Sequence, residues 1–107
     1  MPILCGVDIV HIPKTEKILR KDGTMQKFFH TREIKGDSRH LAGVIAAKEA
    51  FFKALGKVPD FLAIEVSYHA SGKPKITAAP ELAKYKSCDV SISHDGDYAI
   101  AFAVIHK

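Results

Sequence analysis

The segment Ala46-Ala47-Lys48-Glu49-Ala50-Phe51-Phe52-Lys53-Ala54-Leu55-Gly56 constrains this chain more than any other. It is built almost wholly from strong helix formers, and Gly56 supplies a stop just past its end. Upstream, Leu41, Val44 and Ile45 continue the apolar spacing of Phe52 and Leu55, which predicts one helix over residues 39–55 with Ser38 as its N-cap. Ala42, Gly43, Ala46 and Ala47 let another element approach closely. At 1.5 Å per residue such a helix spans roughly 25 Å, about the width of a small domain, so the other elements must pack around it.

Glu49 and Lys53 are four residues apart and share one face of this helix. They can form an ordinary intrahelical ion pair. Alternatively, each meets a partner from elsewhere in the chain. Spacing alone leaves both readings open, and Lys48 sits beside them about 100° further round.

The whole chain of 107 residues is one domain. Residues 3–10 form a strand rich in β-branched residues, with Asp8 as its anomaly. A carboxylate in an apolar strand is costly to bury without a cation, hydrogen bonds or a metal. Gly6 beside it suits close backbone approach. A helix is predicted from Pro13 to Lys21, ended by Asp22-Gly23, then a short helical piece from Met25 to Phe29 and a charged connection from His30 to Asp37. Leu62 to His69 alternates as a half-buried strand, Ser71-Gly72-Lys73-Pro74 turns, and Lys75 to Thr77 returns. A short helix is expected from Pro80 to Lys86. Cys88 to His94 and Asp97 to Ile105 pair across an Asp95-Gly96 turn. Both faces of the last strand are apolar, so both should be covered, one of them by another subunit. This order gives an α+β domain: a mainly antiparallel sheet with a long helix and shorter helices packed on it.

Charge is unevenly spread. Between His11 and Lys35, seven basic side chains stand against three acidic ones, enough to account for the net charge of +4. An anionic partner is expected there. No stacking aromatic motif accompanies the basic stretch, so nucleic acid is not expected. No run approaches the ~18 apolar residues of a membrane span. Met1 to Val10 has no basic lead and carries Asp8, which argues against a secretory signal and for a cytoplasmic protein. Cys5 and Cys88 are expected to be free thiols. Ser93, His94 and Asp95 are adjacent on a strand and point alternately to opposite faces, so they are no catalytic triad.

What remains is an ordered spacing: Gly6-Val7-Asp8 in the first strand, Lys48-Glu49-Ala50 with Lys53 on the long helix, and Ser91-Ile92-Ser93-His94 in a late strand. Two carboxylates from different elements suit Mg²⁺, which keeps sites for water and phosphate oxygens. Lysines beside them suit a polyphosphate. With Gly72-Lys73-Pro74 and Tyr98-Ala99, these pieces resemble the 4′-phosphopantetheinyl transferases, specifically the small bacterial holo-acyl-carrier-protein synthases, nearly end to end.

The resemblance implies Mg²⁺-dependent transfer of the phosphopantetheine arm of coenzyme A to a serine of apo-acyl carrier protein, with release of adenosine 3′,5′-bisphosphate. It implies Asp8 and Glu49 as metal ligands and, with Lys53 at the transferred phosphate, as the catalytic group. It places Lys48, Lys53, Gly72, Lys73, Pro74, Ser93 and His94 on coenzyme A. Acyl carrier proteins are acidic, so Lys14, Lys17, Ile18, Arg20 and Lys21 form the expected docking surface. The small members are homotrimers with the site between subunits. The same resemblance also fits a degenerate relative that binds without turnover, but Asp8, Glu49 and Lys53 are all retained. Where the family has an arginine-aromatic pair, this chain has Val44-Ile45, so a cationic contact to coenzyme A is missing or comes from Arg39 or His40.

Overall fold

The structure is a computed structural model describing residues 2–107. Its centre is helix α3, Ser38–Leu55. Ala42, Ala46, Ala47 and Ala50 are fully buried on it and leave room for a sheet to lie close. That sheet has three antiparallel strands in the order β1-β5-β4, with β1 at Ile3–His11, β4 at Ser87–Asp95 and β5 at Tyr98–His106. Ala99, Ala101 and Ala103 of β5 face the helix, small side chains against small side chains. A second antiparallel pair, β2 (Ile64–Tyr68) and β3 (Pro74–Ala78), covers the other flank of α3. The expected single sheet is therefore two.

Gly6 sets the closest approach. A Cβ there would lie 2.2 Å from the Ala50 carbonyl oxygen and 2.6 Å from the Ala54 nitrogen. Backbone cannot yield as a side chain can. Gly6→Ala is expected to destabilise by about 3 kcal/mol, the upper part of the overpacking range. A thermal melt checks it, and an unchanged Tm refutes the tight contact.

Helices α1 (Ile12–Leu19) and α2 (Met25–Phe28) follow β1 near the expected places. Other expectations need correcting. The N-cap of α3 is Asp37, whose side chain accepts from His40 N at 3.0 Å, while Ser38 Oγ donates to Glu16 of α1 at 2.5 Å. Leu62 and Ala63 belong to a 3₁₀ turn (Phe61–Ala63), so β2 starts at Ile64. Residues 80–86 form no helix, only a turn closed by Leu82 N and Ala83 N on the Ala79 carbonyl. The stretch is too short to nucleate a helix, and Leu82 and Tyr85 pack on the core from the turn instead. Asp95 pairs with Tyr98, so the tight turn is Gly96-Asp97. Gly96 alone has positive φ (58°), which fits a type II′ turn.

The outer face of the three-stranded sheet carries Ile3, Val7, Ile9, Tyr98, Ile100 and Phe102, each 41% to 68% exposed. Contiguous apolar surface of this kind marks an interaction face.

Candidate active site

Asp8 reaches the helix side of β1 because strand residues alternate and Gly6 and Val10 do likewise. It is buried, and one of its oxygens, Oδ2, has no hydrogen-bond partner among the described residues. Its other oxygen, Oδ1, meets Lys53 Nζ at 3.1 Å. Lys53 therefore pairs across to β1 instead of along the helix to Glu49. Glu49 is half-buried beside Asp8. Burial first, then the neighbouring Asp8 carboxylate, push its carboxyl up to about 7, against the pull of Lys53.

Two crowded carboxylates, one with a buried orphan oxygen, fit a hard divalent cation. Two protein ligands are too few for a closed structural site, which suits Mg²⁺ with its remaining positions on water and phosphate oxygens. Asp8, Glu49 and Lys53, predicted together from sequence, do come together.

Lys48 does not join them. The expectation that it contacts coenzyme A fails because the side chain is fully buried on the other side of the helix. Its ammonium donates to Glu33 Oε1 at 2.7 Å and to the carbonyls of Phe28 and Phe61, each at 2.9 Å. Burial holds it below the ordinary lysine range, opposed by Glu33. Glu33 is equally buried and accepts further from Val66 N (2.7 Å) and His30 N (2.8 Å). One ion pair thus ties α3 to α2, to the turn at Thr31–Glu33 and to β2. Sequence reasoning missed Glu33, which it placed in a charged connection.

His94 faces α3 from β4, and Gly43 makes room for it: a Cβ at Gly43 would sit 3.0 Å from His94 Nε2. His94 shares a cleft of about 200 Å³ with His40, Gly43, Tyr68, Gly72, Pro74 and Ile92. Lys73 turns away from it and pairs with Asp89 of β4. Ser93 lies on the opposite face of the sheet, exposed and level with Ile100. Of the segment Gly72-Lys73-Pro74 and Ser93-His94, only Gly72, Pro74 and His94 line this cleft.

A second cleft, of about 480 Å³, opens at Glu49 and is walled by Ile45, Phe28, Ile18 and Lys14. It shares no lining residue with the His94 cleft. Lys14, Lys17, Ile18, Arg20 and Lys21 are all exposed on or just beyond α1. Arg20 is held by Glu16 at 2.8 Å.

The family model described as the 4′-phosphopantetheinyl transferase superfamily matches residues 4–103. The holo-[acyl-carrier-protein] synthase of Nautilia profundicola is 40% identical, covering 97% of this chain and 100% of the relative. That of Ehrlichia ruminantium strain Welgevonden is 39% identical, covering 95% and 94%. Among solved structures, the Helicobacter pylori holo-[acyl-carrier-protein] synthase in complex with coenzyme A superposes with a TM-score of 0.88 at 35% identity, over 95% of this chain and 99% of that one.

Proposed function

Since this chain belongs to the 4′-phosphopantetheinyl transferase superfamily, we infer that it is a holo-[acyl-carrier-protein] synthase, moving the phosphopantetheine arm of coenzyme A to a serine of apo-acyl carrier protein. The observation that carries the reading is the convergence of Asp8, Glu49 and Lys53, with a buried carboxylate oxygen left open.

Asp8 and Glu49 would hold Mg²⁺, which when bound supplies positive charge against the diphosphate of coenzyme A. Lys53 is 59% exposed and can leave Asp8 to meet the transferred phosphate. The serine oxygen attacks phosphorus in line, and the bond to adenosine 3′,5′-bisphosphate breaks. The serine proton would pass to Glu49 or to a water beside it. The exposed cations of α1 suit an acidic carrier, with Ile18 as apolar anchor beside the Glu49 cleft.

The active form is a homotrimer in this reading. The apolar outer face of the sheet gives it a surface to bury, and the separation of the Glu49 and His94 clefts calls for a neighbour to bring them together. No helix among the described residues is long and apolar enough to cross a membrane. With two free cysteines, that suits a cytoplasmic enzyme of one domain.

The test is incubation with coenzyme A, Mg²⁺ and several apo-carriers, read as intact mass. One added phosphopantetheine is expected. Carrier binding with no mass gain on any of them would instead fit a relative without turnover. A second expectation follows from the Glu49 proton, which competes with the metal. Apparent Mg²⁺ affinity should rise with pH up to about 7 and level off above it, falling about tenfold per unit below. Titration calorimetry at pH 6 and 8 checks this; tighter binding at pH 6 reverses the sign and refutes the ligand assignment.

A further inference from the structure

Glu16 is out of place on a surface that suits an acidic carrier. It is the one carboxylate of α1. It is also the one carboxylate lining the groove of about 460 Å³ that runs past His11, Lys14, Lys17 and Arg20. A like charge on a docking face repels the partner, so a free Glu16 would work against the carrier.

Both of its oxygens are engaged. Oε1 accepts from Arg20 Nη2 at 2.8 Å, and Oε2 accepts from Ser38 Oγ at 2.5 Å. Ser38 opens α3, so the carboxylate lies at the positive end of an 18-residue helix. The backbone sets the spacing of the pair, with Arg20 N donating to Glu16 O at 3.1 Å. Glu16 precedes Arg20 by four residues, the favourable order for an anion and a cation on a helix. Ser38 itself does not line the groove.

An exposed Arg–Glu pair ordinarily contributes little, because two long side chains must be ordered to form it. Here the Ser38 hydroxyl orders the carboxylate, and only Arg20 has freedom left to lose. Arg20 is 76% exposed and meets Glu16 through Nη2, which leaves Nη1 and Nε to receive an incoming carboxylate. Lys14, Lys17 and Lys21 make no ion pair among the described residues. Arg20 is therefore the one cation of this surface that is held in place before a partner arrives. We propose that Glu16 and Ser38 are positioning residues for the carrier: together they hold the Arg20 guanidinium ready on the docking face and tie it to α3, the helix that bears Glu49. The proposal rests on α1 docking an acidic carrier, as inferred above.

The experiment measures kcat and both KM values of the full-length protein, with apo-carrier and coenzyme A varied in turn. Glu16→Gln keeps the size of the side chain and removes a negative charge from the docking face. Charge alone would lower KM for the carrier. Loss of the clamp should instead raise it about fivefold, the effect of immobilising one long side chain on binding and not beforehand. Ser38→Ala should raise it similarly, with kcat and KM for coenzyme A within about twofold of the parent, and Ser38→Thr should restore the parent value. In an Arg20→Ala background, which itself raises KM for the carrier, Ser38→Ala should have no further effect. A lower carrier KM in Glu16→Gln, an unchanged one in Ser38→Ala, or a rise shared by both substrates overturns the proposal while transfer persists. An unchanged carrier KM in Arg20→Ala would overturn the docking surface, and absence of transfer by the parent would overturn the function, each taking the proposal with it.

Discussion

Glu49→Gln is expected to lower kcat/KM for phosphopantetheine transfer by at least about 10³-fold, and Asp8→Asn by a similar factor, because each removes one of the two proposed protein ligands for Mg²⁺. Neither substitution should unfold the protein. Asp8 Oδ2 is buried without a partner, and Asp8 and Glu49 raise each other's electrostatic cost. Neutralising either side chain relieves that repulsion, so Tm should hold or rise in metal-free buffer. Lys53, released from Asp8, is exposed enough to be solvated. Mg²⁺ should then stabilise the parent protein but neither variant. Turnover within tenfold of the parent in either variant would refute the carboxylate pair as metal ligands.

Lys48→Met should act in the opposite way: a large loss of stability with little direct effect on coenzyme A binding. It strands the buried Glu33 carboxylate and leaves the Phe28 and Phe61 carbonyls without their donor. Removing one partner of a buried pair costs about 3–5 kcal/mol. In a domain of this size that lowers Tm by more than about 10 °C. The double variant Glu33→Leu/Lys48→Met should recover part of the loss, since no lone charge is then buried, though Val66 N and His30 N remain unpaired. If Lys48 instead touched phosphate, the single variant would keep its Tm and raise KM for coenzyme A. Thermal melts and steady-state kinetics separate the two outcomes.

These two residues are neighbours in sequence, and they show what could be read from it. The helix, its amphipathic spacing and the anomalous Asp8 were legible because each is a local pattern. The partner of Lys53 was not, since a four-residue spacing allows a Glu49 pair as readily as one with a strand. Lys48 had a usable signal that spacing did supply. It lies three or four residues from Val44, Ile45 and Phe52, on the same stripe that was assigned to the core. A lysine on that stripe requires a buried carboxylate, and Glu33 was the candidate hidden in a stretch that looked solvated. The family resemblance puts Ser93 and Lys73 on coenzyme A with His94, but a motif match does not say which way each side chain points. Strand alternation sends Ser93 to the other face, and Lys73 finds Asp89 instead. The helix expected at residues 80–86 rested on propensity in a stretch too short to nucleate one.

The two separated clefts have a genetic corollary. If each working junction takes Glu49 from one protomer and His94 from its neighbour, the two defects belong to different sides of the junction. Chains damaged only at Glu49 and chains damaged only at His94 would each be inactive alone. Co-assembled, they would regenerate junctions in which both sides are sound. Two null alleles could then complement one another in the same cell, while dilution below the dissociation constant of the assembly would silence even the undamaged protein.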